Sequence, residues 1–295
     1  IKMKESLFRK ISRHFYARQC VFAQGEYLSL FERLWLSAHI QMALPAQELA
    51  EKRINLTANS AEPFFDVGPY KVYFMPKERP KNYDYFMRGI RQVISESFIA
   101  PILFWGPVKI SAGDVVLDLG GNIGTTALVF SSLVGSTGRV IAFEPVTYAT
   151  IEKNLTMNKI SNVSVVPKAV SNSVGEIEIE ISDFFLDSTI AKRERSGDRD
   201  GHFTKRLKIP TTTLDDYVRS NGIQKLDFIK MDIEGAEEWA LEGAVEVIKR
   251  FRPKWSISSY HTDFTNQLQH PKLVKILLAH GYKIHEQANS HLFAW

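Results

Sequence analysis

The strongest constraint on the fold is a change of rhythm that begins at Val115. From there, short apolar runs at Val115–Leu119, Arg139–Phe143, Val163–Val170, Phe228–Met231 and Lys254–Ser258 are interspersed with helical patterns at Thr125–Leu133, Thr147–Lys159 and Ala236–Arg250. Runs that are apolar throughout suit strands buried on both faces, and strands alternating with helices give βαβ units around a parallel sheet. Toward the C-terminus, Leu273–His280 reads as a helix stopped by Gly281, followed by Tyr282–His285 and Ser290–Trp295 as two strands. The connection between those strands is too short for a parallel crossover, so they pair antiparallel. The expectation is an α/β fold: a mostly parallel, seven-stranded, Rossmann-like sheet ending in a C-terminal antiparallel hairpin.

Upstream the pattern differs. Residues 1–60 read as an N-terminal helical extension, with Leu7, Ile11, His14 and Phe15, then Leu28, Phe31, Leu34 and Trp35, near helical spacing among basic residues. A basic amphipathic stretch can lie on a membrane surface. We expect this apolar stripe to pack on protein instead, either the main domain or a second copy in a homo-oligomer. Residues 61–295 form the main domain, which opens with β-rich pieces such as Tyr70–Phe74 and a helix over Tyr85–Ile99. Within it, Gly175–Ile181 alternates glutamate and isoleucine, as a half-exposed strand does. The polar stretch Ser182–Lys205 is a candidate lid, and Leu207–Pro210 a returning strand.

Composition narrows the class. A length of 295 residues suits one large α/β domain with an appendage. The formal charge of +4 and pI near 9.0 read as a solvated surface rather than a nucleic-acid footprint. Cys20 is the single cysteine, which excludes an intramolecular disulfide and a cysteine zinc cluster. A reducing compartment suits such a chain, and we expect it to be cytoplasmic. The apolar run Phe98–Trp105, broken by Pro101, falls short of the roughly 18–20 residues of a membrane span. The sequence opens on Ile1 rather than Met and shows no signal-peptide pattern, so we expect the natural chain to start further upstream.

The ligand-binding signal is Asp118-x-Gly120-Gly121-Asn122-x-Gly124, which ends an apolar strand and opens a helix. Gly120 permits a tight turn and a close backbone approach, and the helix N-terminus presents unpaired N–H groups. A dinucleotide loop carries G-x-G-x-x-G so that pyrophosphate can sit on that terminus. Here Asn122 stands at the second glycine position, and Asp118 would set an anion beside the phosphates. S-adenosylmethionine (SAM) has no phosphate, and its amino group suits an acid next to a glycine turn. Glu144, in Phe143-Glu144-Pro145, is placed to accept both hydroxyls of a ribose or to cap the helix that follows.

The segments VVLDLGGNIGTTALVF, VIAFEP, TTTLDDYV and DFIKMDIEGAE resemble the FkbM family of SAM-dependent methyltransferases, the last being the most specific. The resemblance covers about Glu96–His261 and leaves residues 1–60 unexplained. It implies the class I methyltransferase fold and O-methylation, often of hydroxyls on sugars, polyketides or other secondary metabolites. By motif it implies that Asp118, Gly120, Asn122, Gly124 and Glu144 contact SAM. Family members often carry a glutamate two residues before a histidine at the end of the fifth strand. In Ser259-Tyr260-His261 this chain has serine at that place.

Open α/β sheets bind ligands at the carboxyl ends of their strands. Lys230, Asp232 and Glu234 stand there at alternate positions and share one face if the fourth strand stays extended. A buried lysine needs a partner, which Asp232 or Glu234 can supply. Alternatively the cluster faces the methyl in transit. Positioning carries most of such a displacement, and an alcohol acceptor also needs a base. The catalytic candidates are Asp232, His261 and Lys230. Asp232 with His261 or Asp263 also offers a place for Mg2+, which would acidify a bound hydroxyl. The reading favoured from sequence is metal-independent. The expected acceptor is a small molecule or glycan. An RNA methyltransferase is favoured weakly by charge, but the chain lacks an Asn-Pro-Pro-Tyr motif and a catalytic cysteine pair. A non-catalytic binding module that keeps the fold is the remaining alternative.

Overall fold

The computed structural model describes residues 55–56, 64–67, 70–74, 108–182, 188–190, 203–263, 265, 267–287 and 291–295. The helical extension over 1–54, the helix at Tyr85–Ile99 and most of the lid candidate lie outside these residues. Asn55–Leu56, which the sequence assigned to the extension, is a strand.

In chain order, β1 (Asn55–Leu56), β2 (Phe64–Val67) and β3 (Tyr70–Tyr73) form an antiparallel sheet of their own. β4 (Val115–Leu119) runs through the glycine turn into α1 (Thr125–Val134), and β5 (Arg139–Phe143) leads to α2 (Tyr148–Met157). The apolar run at 163–170 is two strands rather than one. β6 (Val163–Val166) stops at Pro167, which has no N–H for the ladder, and β7 (Ala169–Val170) joins a different sheet. That sheet also holds β8 (Gly175–Ser182), β9 (Ser188–Ile190) and β10 (Phe203–Thr212), in the order β7-β10-β8-β9. Ile179 and Ile181 pack with Ile209, while Glu176 and Glu178 are exposed, as the alternation predicted. The returning strand is longer than Leu207–Pro210.

The chain continues with α3 (Leu214–Ser220), β11 (Phe228–Met231), α4 (Glu237–Glu242) and α5 (Val245–Phe251). The helix read at Ala236–Arg250 is broken at Gly243. A Cβ there would lie 2.3 Å from the Ser171 carbonyl oxygen, so the segment passes too close to its neighbour for any side chain. β12 (Lys254–Ser258), α6 (His270–Ala279), β13 (Ile284–Gln287) and β14 (His291–Ala294) complete the chain.

The main sheet has the order β6-β5-β4-β11-β12-β14-β13. Pairings from β6 to β12 are parallel, and β14 runs antiparallel to both β12 and β13. The expected seven-stranded architecture is therefore present. Leu117, Leu119, Phe143, Phe228 and Trp255 are fully buried in its core, each such side chain contributing roughly 1.5–3 kcal/mol. Strand order reverses between β4 and β11, and the crevice outside their carboxyl ends is where ligands of such sheets bind. Among the described residues, no helix is long and apolar enough to cross a membrane.

Candidate active site

The loops that follow β4 and β11 meet backbone to backbone. Gly120 has φ +80°, and a Cβ on it would stand 1.9 Å from the Asp232 carbonyl oxygen. The Asp232 N–H donates to the Leu119 carbonyl at 3.0 Å. Gly120 is thus required by the neighbouring strand end. Gly124, at φ +88°, is the N-cap of α1, and a Cβ there would sit 3.0 Å from Ile151 Cγ2 on α2. Asn154 of α2 donates to the Ile123 carbonyl at 2.7 Å and pins the same turn.

Asp118 has the cationic partner that its position called for, and that partner belongs to the chain itself. Lys230 pairs with Asp118 across the β4–β11 ladder, and Nζ lies 3.2 Å from Asp118 Oδ1. The same amine donates to the Gly120 carbonyl at 2.8 Å, and Thr126 Oγ1 donates to Asp118 Oδ2 at 2.5 Å. Both residues are buried. Burial works against the lysine charge, but Asp118 and Asp232 outweigh it and hold the pKa above its ordinary value. Lys230 is a charged brace under the turn and a poor proton acceptor.

Glu144 is also engaged by backbone. Oε1 accepts from Val146 and Thr147 at 2.9 and 3.1 Å, and Oε2 accepts from Asn122 at 3.0 Å. It caps the entry to α2 and ties that entry to the glycine turn. Burial raises its pKa, and the three N–H donors offset part of that rise. Asn122 takes a left-handed conformation, φ 51°. Among the described residues its buried Oδ1 makes no hydrogen bond, so the turn holds an acceptor fit for a ligand's donor.

At the ends of β11 and β12, His261 meets three carboxylates. Nδ1 lies 2.7 Å from Glu237 Oε1. Nε2 lies 3.6 Å from Asp232 Oδ1 and 3.5 Å from Glu234 Oε2. Burial alone would lower the histidine pKa, but the Glu237 hydrogen bond and the three negative charges raise it to about 9. Glu237, which sequence reasoning missed, is fully buried and also accepts from the backbone of Ile233 and Gly235 and from Gln269. Its sequence signals were an acid in the first turn of a helix and its place as the last residue of DFIKMDIEGAE. Asp263, offered as an alternative to His261 beside Asp232, is turned to Thr265, Gln267 and Lys272. Ser259 is buried and hydrogen-bonded to His270 at 2.8 Å. Tyr260 is exposed, with its ring 4.2 Å from that of His261.

A sheet of this order, with a glycine turn after its first strand, is that of a class I methyltransferase. Residues 118–284 match the methyltransferase FkbM domain, and the chain belongs to that family. It is 26% identical over 147 residues to 2-O-methyltransferase NoeI of Sinorhizobium fredii (strain NBRC 101917 / NGR234), covering 47% of this chain and 60% of that protein. It is 26% identical over 158 residues to methyltransferase sdnD of Sordaria araneosa, covering 44% of this chain and 60% of that protein. It is also similar to the crystal structure of methyltransferase FkbM from Methylobacillus flagellatus KT, with 19% identity, a TM-score of 0.46, and coverage of 97% of this chain and 60% of the other. The chain thus spans 60% of the length of each of these relatives.

Proposed function

We propose that this chain is a SAM-dependent O-methyltransferase acting on a hydroxyl of a small-molecule or glycan acceptor. The observation that carries the reading is the Gly120–Asp232 contact. It sets a turn with an unpartnered buried acceptor, Asn122 Oδ1, directly against the Asp232, Glu234 and His261 cluster. On this reading the contact would adjoin a donor site to an acceptor site, as in-line transfer requires. Family membership and the name of one relative, a 2-O-methyltransferase, support it.

SAM supplies a methyl carbon activated by positive sulfur. The turn at Gly120, Asn122 and Gly124, together with Glu144, would hold it, and Asp118 with Lys230 would support the turn from beneath. Asp232, partly exposed and with Oδ1 free of hydrogen bonds among the described residues, would orient the acceptor hydroxyl and take its proton. With SAM bound, that oxygen would be aligned for attack on the methyl carbon, the C–S bonding pair staying with the departing sulfur. His261, charged at neutral pH by its carboxylate neighbours, would hold Asp232 and Glu234 in place.

The test is SAM binding by calorimetry, followed by transfer of labelled methyl to panels of hydroxylated glycans, small metabolites and RNA. The expected result is saturable SAM binding, weakened about tenfold by Asn122→Ala, and label on a hydroxyl of a non-nucleic-acid acceptor. Absence of SAM binding would make the chain a scaffold, and label in RNA would overturn the acceptor class.

A further inference from the structure

We propose that Asp232, Glu234 and His261 form a site for one divalent cation of the manganese type, with Glu237 orienting the histidine. The three side chains offer one nitrogen and two carboxylate oxygens, all within 4.8 Å of one another. Ligand atoms about 2.1 Å from a common cation stand about 3.0–3.4 Å apart. The observed separations of 3.5 and 3.6 Å from His261 Nε2 lie just outside that range, and the two carboxylates would draw together on the cation.

An acidic cluster alone would not argue for a metal, because exposed carboxylates are common. His261 does. Its side chain is 7% exposed. Among the described residues its Nε2 and Asp232 Oδ1 make no hydrogen bond. That ring edge stands 3.5 and 3.6 Å from two carboxylates, beyond good hydrogen-bond reach, and a cation bound between them would take the place of the imidazolium proton. The other ring nitrogen is 2.7 Å from a fully buried glutamate. Metal-ligating histidines use this arrangement: a carboxylate takes the second N–H, fixes the tautomer and raises ligand basicity. The imidazole disfavours magnesium, which prefers oxygen alone, and the two carboxylates suit manganese. Glu234, 37% exposed, leaves the cluster open on one side, so coordination positions remain for an acceptor hydroxyl.

Cation binding stands apart from the methyl-transfer reading; only the use of the cation rests on it. There, Asp232 would ligate rather than take the proton. The cation would acidify the acceptor hydroxyl, whose proton passes to solvent on the open side. The inference departs from the metal-independent expectation; of the two partners that the sequence offered Asp232 it takes His261, and it adds Glu234.

The test uses the full chain, freed of metal by chelation, and titrates Mn2+ by calorimetry and electron paramagnetic resonance. One Mn2+ per chain is expected, bound at least tenfold tighter than Mg2+, with a histidine nitrogen coupled to it in the electron spin-echo spectrum. Glu234→Gln, at a partly exposed position, and Asp232→Asn should each weaken binding tenfold or more while SAM binding persists. Lack of saturation below millimolar Mn2+, absence of nitrogen coupling, or unchanged affinity in both variants would overturn the site. Failure to bind SAM alongside intact Mn2+ binding would overturn the methyltransferase reading and leave the site standing.

Discussion

His261 and Glu237 are joined by a 2.7 Å hydrogen bond in which the histidine's partner is fully buried and has both oxygens occupied. The bond links the end of β12 to the first turn of α4. Glu237→Gln keeps one acceptor and replaces the other with a donor that faces backbone N–H groups. It is expected to lower kcat 10–100-fold and to cost about 1–3 kcal/mol of stability. Steady-state kinetics and urea unfolding on the same variant check both; full activity would show that the bond positions nothing.

Gly120 and Gly135 both have positive φ, but only Gly120 meets another chain segment. A Cβ at Gly120 would stand 1.9 Å from a carbonyl oxygen, whereas one at Gly135 meets nothing within 4 Å. Gly135→Ala should therefore cost only its local strain, about 1–3 kcal/mol, because φ 64° with ψ -169° is backbone that glycine alone adopts readily. Gly120→Ala should cost about 4 kcal/mol or more, since backbone must move. Denaturation midpoints of the two variants give the comparison.

Lys230 and Asp118 are a buried pair. Removing either partner strands a charge, so Lys230→Met and Asp118→Asn are each expected to destabilise by about 3–5 kcal/mol. The double variant should cost clearly less than the two added together. A double-mutant cycle from urea unfolding reads the coupling, and strict additivity would refute the pairing.

His291 sets an acid limit on stability. It is buried and hydrogen-bonded to Ser256 at 2.9 Å. Burial lowers its pKa from 6.5 to about 4, with Asp232 opposing and the Lys230 and His261 charges assisting. The unfolded chain then binds a proton that the folded chain refuses, so stability falls as pH drops from about 6.5 to about 4, by up to roughly 1.4 kcal/mol per unit. Below and above that window this contribution is flat. His291→Gln should remove this contribution to the slope, and the difference between the two proteins' unfolding free energies at pH 7 and pH 5 measures it.

The fold was legible because its signals are local. Apolar runs and glycine stops marked the strands, and a short C-terminal connection demanded an antiparallel pair. What escaped depends on register and close approach. Lys230 was assigned a partner from its own strand, yet its partner stands opposite on β4, visible only once the ladder is aligned. Glu237 was overlooked because the residue that gives it meaning lies 24 positions away. The break at Gly243 and the role of Gly120 follow from carbonyl oxygens of distant segments. The glycine turn and the acids after β11 were found, but not that they touch.

That contact governs how this scaffold could be re-engineered. Two loops locked carbonyl to glycine leave no slack for insertions in either one, so grafting a foreign turn after β4 would demand a matched graft after β11. Retargeting the chain to a different acceptor would therefore draw on side chains outside that lock, such as the exposed Tyr260 after β12, whose ring stands 4.2 Å from that of His261.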